Sequence, residues 1–472
     1  MKLDNEMWAY ALRNSIEFGK TDAGKILPKL FNHGLDKKEI GKIMPKVREI
    51  VKKVNSLKKE EREKEYKNYK KYVKERDLGR EDELPELEDV DKKKGVIMRF
   101  APSPSGPLHI GHAATGMPSA VYVKRYGGKF YIRIEDTNPE NIYPSAYEMI
   151  PEEANWLFGK NEVIIQSDRL ELYYKYAEEL IKKGGAYVCT CDNEKFKKLI
   201  ADGVACKDRE LDVKENLERF RKMMDKKEYK EGEAVLRFKS NLKDPNPALR
   251  DFPLARINTS KHPRTGNKYR VWPLMNLSVS ADDLETGVTH AIRAKEHMDN
   301  AKRQEMMAKV LGKKSPKAYF LGRYNFTDME VSCSKTRAKI KEGAYIGWDD
   351  IRLPFIAALR KRGFKPAAFE KMASLRGLSS VDKVLSQEDY FALLGKLNAE
   401  AIGKEYVRAS FERKKKKDKE SVEVLMPSKE SIFGKTDLEI EKLEEGRMIY
   451  FVNLGYCCYN PKEKIKFWFA HK

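Results

Sequence analysis

The sequence predicts an α/β fold built on a doubly wound parallel sheet, and three observations near residue 100 lead to this prediction. Val96 to Phe100 is a short apolar run typical of a buried strand. The prolines and glycines of residues 101–109 then exclude regular structure. Apolar residues recur with a helical period from Gly111, and Phe130 to Ile134 predicts a second strand. A strand, a loop, a helix and a strand in this order form half of a doubly wound fold.

The loop places two histidines at the start of the predicted helix. Free backbone N–H groups and the helix dipole favour an anion there, so His109 and His112 would stand beside a bound polyphosphate. Gly111 between them would let a purine approach the backbone without meeting a Cβ atom. The alternative is a glycine- and proline-rich connection with two incidental histidines, and the flanking residues decide between the two.

Length, charge and cysteine content limit the class of protein. With 472 residues, the chain is long enough for about three domains. Its formal net charge of +21 favours a polyanionic partner, for which nucleic acid fits best, although a generally charged surface is the alternative. No apolar run approaches the roughly 18 residues of a membrane span, and residues 1–18 lack the pattern of a signal peptide. We therefore expect a cytoplasmic protein, without a disulfide framework because its cysteines are few and unevenly placed.

Three cysteines and an aspartate form a possible metal site. Cys189 and Cys191 are separated by one residue, and Cys206 is followed two positions later by Asp208. Zinc takes four ligands, mostly cysteine and histidine and occasionally aspartate. The spacing therefore allows a zinc site, and reduced structural thiols are the alternative.

Two motifs identify a family. Residues 99–112 read RFAPSPSGPLHIGH and residues 133–140 read RIEDTNPE. Together they resemble the signature of class I glutamyl-tRNA synthetases, in which HIGH is the nucleotide motif. The resemblance continues in order through IIQSDRLELYYKYAEELI, EGEAVLRFK, HPRTGNKYRVWPL, DDLETGVTHAIRAKEH and GWDDIRLPFIAALRKRGF. It covers about residues 1–412, and the wording is similar to that of the archaeal and eukaryotic branch.

The resemblance implies a Rossmann-like class I catalytic domain and a ligase activity. Members of the family use ATP and Mg²⁺ to attach glutamate to tRNA(Glu) through glutamyl-adenylate. It leaves open whether tRNA(Gln) is also charged. A monomer without a membrane partner is expected.

The resemblance also implies site residues, carried over by motif. Arg99, Ala101 and Ser103 lie in the loop that contacts the amino acid, and Glu135 matches the acid that binds its α-amino group. Arg293 corresponds to the arginine that binds the side-chain carboxylate, which favours glutamate over glutamine. The remaining implied residues are His109, His112 and Lys335 for catalysis, and Gly111, Glu296 and Ser334 for ATP binding.

Three positions depart from the family pattern. Cys333 stands where the family's mobile loop carries the lysine that clamps pyrophosphate, and Lys335 or Arg337 would have to reach in from two or four positions later. Met275 and Val279 replace a tyrosine and a small polar residue near the amino acid. A catalytically impaired tRNA-binding paralogue, a glutaminyl-tRNA synthetase and a glutamyl-transferring enzyme that modifies a tRNA base therefore stay open as alternatives.

The chain is expected to divide into six parts. They are a helical N-terminal appendage and linker (1–94), the first half of the catalytic domain (95–185), an acceptor-binding insertion (186–260), the second half of the catalytic domain (261–345), a helical tRNA-contact segment (346–412) and a truncated β-barrel on the anticodon side (413–472). Residues 77–94 predict the linker itself, and the basic run Arg360 to Arg362 is expected to face outward.

The tail alternates apolar and polar residues, which predicts strands. Several of its aromatic side chains would stack on RNA bases or, as is commoner in strands, form a core. They are Tyr450, Phe451, Tyr456, Tyr459 and Trp468.

Overall fold

The computed structural model describes residues 3–33, 35, 39–73 and 84–472. By its internal contacts the chain falls into two units, Met1–Glu81 and Asp82–Lys472. Among the described residues, no helix is both long and apolar enough to cross a membrane.

The N-terminal unit is helical, as its sequence predicts. Its core is formed by apolar residues that recur at helical spacing, among them Met7, Leu12, Val47 and Ile50. The last helix has no buried residue, because its sequence is almost entirely charged residues and tyrosines. The helices are α1 (Asp4–Phe18), α2 (Ala23–Leu30), α3 (Ile40–Ser56) and α4 (Lys59–Tyr69).

The second unit begins with the predicted strand, loop, helix and strand. The three strands are parallel and neighbour one another in chain order, with Val96 opposite Gly128 and Tyr131 opposite Glu162. The elements are β1 (Val96–Phe100), α5 (Ile110–Tyr126), β2 (Gly128–Ile134), α6 (Ala146–Phe158), β3 (Glu162–Ile165) and α7 (Leu170–Lys182).

An antiparallel four-stranded sheet interrupts this arrangement, where the sequence predicts an insertion. Its last strand lies at residues 271–273, beyond the expected boundary at 260. The elements are β4 (Ala186–Cys189), α8 (Asn193–Asp202), α9 (Val213–Met224), β5 (Val235–Phe238), β6 (Pro253–Ile257) and β7 (Val271–Pro273).

The parallel arrangement then resumes beside β1. The backbone N–H of Thr289 donates to the carbonyl of Ile97 at 2.9 Å, which places the next strand along β1. That strand pairs in parallel with its successor. The elements are α10 (Met275–Glu285), β8 (His290–Ala294), α11 (Met298–Leu311) and β9 (Lys317–Leu321). The predicted α/β class with a doubly wound parallel sheet is confirmed.

A mostly helical segment follows, with one short parallel pair of strands. Its elements are β10 (Tyr324–Phe326), α12 (Cys333–Lys341), α13 (Ile356–Lys361), α14 (Pro366–Arg376), β11 (Lys383–Leu385) and α15 (Gln387–Ile402).

A seven-stranded sheet ends the chain. It begins at Val407, six residues before the expected boundary at 413, and its strand order is β12-β16-β17-β18-β14-β15-β13. Phe451, Tyr459 and Trp468 are buried, so these three aromatic side chains belong to its core. The strands are β12 (Val407–Ala409), β13 (Glu412–Lys414), β14 (Val422–Leu425), β15 (Ser431–Lys435), β16 (Met448–Phe451), β17 (Gly455–Tyr459) and β18 (Phe467–His471).

Two sequence expectations are corrected by the packing. Residues 77–83 of the expected linker lie outside the described residues, but Leu84 and Leu87 are buried in the catalytic core, so the segment from residue 84 is part of that domain. Arg362 does not face outward: it is buried and donates to the carbonyls of Phe469 (3.1 Å) and Ala470 (2.7 Å). A buried guanidinium is stable here because it serves two backbone acceptors of β18.

These contacts predict different effects for two arginines in one turn of α13. Arg362→Ala leaves two buried carbonyls without their donor and should lower the free energy of unfolding by about 2–3 kcal/mol. Arg360 is exposed and pairs with Glu152, so Arg360→Ala should cost less than about 1 kcal/mol. Urea denaturation of both variants measures the difference, and equal losses would contradict the role given to Arg362.

Candidate active site

The two signature histidines hold each other and the start of α5. Nδ1 of His109 accepts from the backbone N–H groups of Gly111 (3.1 Å) and His112 (3.3 Å), which makes His109 the N-cap of the helix. Nδ1 of His112 accepts in turn from the backbone N–H of His109 at 3.4 Å. The rings stack with centroids 3.7 Å apart. Since each Nδ1 is an acceptor, we assign the proton of each neutral ring to Nε2.

Both imidazoles are uncharged at neutral pH. Burial lowers the pKa of His112 to about 4 and the pKa of His109 well below its ordinary value, because burial disfavours the charged form. The loop therefore offers an anion Nε2–H donors and a helix N-terminus, not imidazolium cations. A Cβ atom at Gly111 would lie 3.0 Å from the His109 ring, so glycine is what allows the ring to fold back onto the helix.

A buried carboxylate gathers three arginines below this loop. Asp283 of α10 contacts Nε of Arg99 on β1 (3.3 Å), Nη1 of Arg133 on β2 (2.5 Å) and Nη2 of Arg293 on β8 (3.2 Å). Burial alone would raise the pKa of Asp283, but the three guanidinium groups hold this pKa well below its ordinary value. Arg133 also donates to Glu135 at 3.0 Å. The cluster thus joins three parallel strands at their carboxyl ends, where ligands bind in such sheets.

The cluster carries a surplus of positive charge. The neighbouring Asp282 pairs with Arg169 at 2.7 Å, so four guanidinium groups face three carboxylates and one positive charge is left over. Burial and repulsion by Arg99 lower the pKa of Arg293 to about 9. Nε of Arg293 is buried and has no hydrogen-bond partner among the described residues. One more negative charge would therefore be stabilised beside Arg293.

The other implied substrate residues lie around the same strand ends. The backbone N–H of Glu135 donates to the carbonyl of Pro102 at 3.0 Å, which joins the loops that follow β1 and β2. Ala101 in the first loop is half-buried and Ser103 is exposed. Oε1 of Glu296 accepts a hydrogen bond from Nε of Arg323 at 2.9 Å.

The start of α10 contains the two apolar departures. Met275 is exposed and Val279 is buried. Asn276 between them is also buried, and its Oδ1 has no hydrogen-bond partner within the described ranges. The start of α10 therefore has a polar side chain at position 276, and not at positions 275 and 279, where the family pattern has them.

The second nucleotide motif lies directly against the first. Sγ of Cys333 is 3.6 Å from the carbonyl of Pro107, and a Cβ atom at Gly106 would come within 2.9 Å of the Cys333 Cβ. Cys333 is buried, whereas Ser334 and Lys335 are exposed on the first turn of α12. Lys335 forms an ion pair with Glu330 at 2.5 Å. Lys335 is thus an exposed cation of this motif, whereas Cys333 packs under the loop.

The cysteine cluster of the insertion is assembled. The thiol sulfurs of Cys189, Cys191 and Cys206 and a carboxylate oxygen of Asp208 all lie within 4.8 Å of one another. Sγ of Cys206 is 3.9 Å from Sγ of Cys189, and Sγ of Cys191 is 3.9 Å from Oδ2 of Asp208. A hydrogen bond from the Cys189 thiol lowers the pKa of Cys206 below its ordinary value. Arg219 donates to the other oxygen of Asp208 at 3.0 Å and so fixes the carboxylate.

Sequence reasoning missed two groups of this site. Arg133 was not singled out, although an arginine in an otherwise apolar strand is a signal of a buried charge partner. Asn276 was passed over because it falls beside the expected position. Asp283 lies in the motif DDLETGVTHAIRAKEH, but its contacts with three arginines could not be inferred from its place in the chain.

Comparison with known proteins assigns the family. The sequence pattern of tRNA synthetases class I (E and Q), catalytic domain, matches residues 95–398. A glutamate–tRNA ligase of Methanothermobacter marburgensis is 43% identical over 399 residues, which are 83% of this chain and 71% of that protein. One of Methanocaldococcus jannaschii is 38% identical over 473 residues, covering 96% and 83%.

A solved glutamate tRNA ligase from Elizabethkingia meningosepticum, in complex with its amino acid, superimposes with a TM-score of 0.46 at 22% identity, covering 66% of this chain and 70% of that chain. The family assignment does not depend on this weaker likeness. Because the family pattern matches more than half of the sequence and the Methanocaldococcus protein matches nearly all of it, the chain belongs to the class I tRNA synthetases of the glutamate and glutamine group.

Proposed function

We propose that this protein uses ATP to attach glutamate to tRNA(Glu) through glutamyl-adenylate. The observation that carries the proposal is the surplus positive charge of the Asp283 cluster. Glutamate has a net charge of −1 at neutral pH and glutamine has none. Glutamate would neutralise the cluster, whereas glutamine would leave a buried cation without a partner, which costs several kcal/mol. The cluster therefore favours glutamate as the substrate.

The amino acid is recognised by charged groups at the strand ends. Glu135 pairs with the α-ammonium group, and Arg293 with the side-chain carboxylate. Arg99, with the loop residues Ala101 and Ser103, borders the α-carboxylate. Asn276 supplies a polar atom near the amino acid, where Met275 and Val279 supply none.

In the first step the α-carboxylate of glutamate attacks the α-phosphorus of ATP. A P–O bond to the substrate forms, the bond to the β-phosphate oxygen breaks, and pyrophosphate leaves with the electron pair. Nε2–H of His109 and of His112, with the positive end of the α5 helix dipole, stabilises the charge that develops on the phosphates. Mg²⁺ enters with ATP, whose phosphate oxygens are the ligands this ion prefers. Gly111, Ser334 and Glu296 border the nucleotide.

In the second step a hydroxyl of the terminal ribose of tRNA attacks the carbonyl carbon of the adenylate. The new ester bond forms as the bond to AMP breaks. No covalent enzyme intermediate is needed, so orientation of the two substrates supplies most of the rate enhancement. The net charge of +21 supports a nucleic acid partner. We propose that a cytoplasmic monomer carries out this activity. The use of tRNA(Gln) is tested by repeating, with this tRNA, the tRNA-dependent exchange assay described below.

Lys335 replaces the signature lysine. The interpretation as an impaired paralogue depended on Cys333 and Met275, but the side chain of Cys333 is buried against the loop of the first motif. Lys335 stands on the exposed side of the same turn and is free to exchange its partner Glu330 for a phosphate. An active enzyme in which the lysine that clamps pyrophosphate stands at position 335, and not at 333, explains both Cys333 and Lys335.

We also propose that Cys189, Cys191, Cys206 and Asp208 hold a structural zinc ion. Zinc–sulfur bonds of about 2.3 Å in a tetrahedron place the ligand atoms roughly 3.8 Å apart. The observed separations of 3.9 Å for Cys189–Cys206 and for Cys191–Asp208 support this donor set. The ion would fix both ends of the segment between β4 and α9, which contains α8.

Arg293→Gln should abolish the preference for glutamate. Removing the surplus charge lowers kcat/KM for glutamate at least 100-fold in tRNA-dependent ATP–pyrophosphate exchange and has a smaller effect with glutamine. Arg256 is exposed on β6, so Arg256→Gln is the matched control and should retain the wild-type rate. Faster exchange with glutamine than with glutamate in the wild type would contradict the proposed substrate.

Lys335→Ala should reduce the exchange rate by about 100- to 1000-fold, because one positive charge that stabilises the leaving pyrophosphate in the transition state is lost. Lys339 shares the partner Glu330 one turn further along α12, so Lys339→Ala is the matched control with nearly full activity. Cys333→Lys should lower the melting temperature and not raise the rate, since it buries a lysine under the loop. A higher exchange rate in Cys333→Lys would show that the lysine that clamps pyrophosphate belongs at position 333.

The wild type should contain about one zinc ion per chain by elemental analysis, and Cys191→Ser should contain less than half as much. Cys458, a buried cysteine of the C-terminal sheet, gives the control Cys458→Ser, which should keep its zinc. Cobalt substitution adds the absorption of a tetrahedral thiolate site. Zinc-free wild type with full stability would exclude the metal.

A further inference from the structure

One buried acid of α6 lies under the loop of the first motif. Glu153 is 6% exposed, and its Oε2 accepts from the backbone N–H of Leu108 at 2.6 Å. The same carboxylate accepts from the backbone N–H of Ala357 in the first turn of α13. Buried carboxylates are retained only where hydrogen bonds compensate for lost water, and here two backbone donors do so.

These two donors belong to segments that pair with each other. The backbone N–H of Ile110 donates to Pro354 at 3.0 Å, and that of Ile356 donates to Leu108, also at 3.0 Å. Leu108 thus uses its carbonyl for the segment before α13 and its N–H for Glu153. Since His109 follows Leu108 directly and caps α5, the dihedral angles that direct both histidine rings depend on this anchor.

We infer that Glu153 is a positioning residue of the nucleotide-binding loop: its carboxylate joins Leu108 to the start of α13 and thereby sets the place of His109 and His112. This inference rests on the proposed function, because the loop is taken to bind ATP. Glu153 itself points into the protein and touches neither substrate. It acts through the backbone, where an error of about 1 Å reduces a rate about 100-fold.

The ionised form of Glu153 is the stronger acceptor for two N–H groups. Burial raises its pKa to about 8, so this carboxyl gains its charge as the pH rises through about 8. The charged and titratable groups that face it are Glu152 on its own helix, Arg360 on α13 and the Cys333 thiol on α12. Burial raises the pKa of Cys333 to about 11, so this thiol does not titrate near pH 8.

The test compares Glu153→Gln with Glu152→Gln in tRNA-dependent ATP–pyrophosphate exchange between pH 6.5 and 9. Glutamine has the same shape as glutamate but does not ionise, so it resembles the protonated carboxyl of Glu153. The wild-type rate should rise between pH 7 and 9 and the rate of Glu153→Gln should be flat, so kcat of the variant should be about 10-fold below that of the wild type at pH 9. Glu152 is exposed and pairs with Arg360, and its charge raises the pKa of Glu153, so Glu152→Gln should keep the wild-type rate at pH 9 and move the rise to a lower pH.

A purely structural role would lower the melting temperature and leave the rate per folded molecule and its pH profile unchanged; that result overturns the inference. Should Glu153→Gln fail to fold, Glu153→Asp decides: it keeps the charge but withdraws the oxygens by one bond, and undiminished exchange would overturn the inference as well.

Absence of exchange in the wild type and in Glu152→Gln would refute the proposed function and not the positioning role. Calorimetric titration with ATP then tests the loop directly. Glu153→Gln should bind ATP several-fold more weakly than the wild type and Glu152→Gln, and equal affinities would overturn the inference.

Discussion

The carboxylate of Asp283 is the interaction on which the active site depends. It holds arginines from β1, β2 and β8 together, although β8 is separated from β2 in the chain by the whole insertion. Without it, three guanidinium groups would repel one another in a buried space. With it, the strands can end side by side, and the remaining charge is directed at the substrate. The same contact therefore serves the folding of the sheet and the selection of the amino acid.

The loop of the first motif is likewise held by a few contacts. His109 uses its ring to cap α5, and Gly111 leaves space for that ring. The loop is also paired with the segment before α13 through Leu108 and Ile110. A loop rich in proline and glycine thus has a defined conformation because the backbone groups of Leu108, His109 and Ile110 are hydrogen-bonded, and not because its residues have a strong local preference.

Much of the catalytic fold could be predicted because its signals are local. The strand Val96–Phe100 has the predicted bounds, and α5 begins at Ile110, one residue before the predicted start. The burial of Leu84 and Leu87 was not predicted because they stand in an acidic stretch, and that of Arg362 because it stands in a basic run. The composition of a segment averages over side chains that point inward and outward. The inward side chain of Cys333 follows from its place at the start of α12 against Pro107, a residue more than 200 positions away, which no local pattern reports. Two partners of Asp283, Arg99 and Arg133, are distant in the same way.

The uncharged state of the two histidines bears on turnover. A fixed cation in this loop would attract pyrophosphate after the transfer as strongly as before it, and departure of the product would then limit the enzyme. Two N–H dipoles and a helix end act at short range, so their attraction declines quickly as the leaving group moves outward. Stabilisation is concentrated on the transition state and not on the product. If the loop binds ATP as proposed, its uncharged donors therefore favour the release of pyrophosphate.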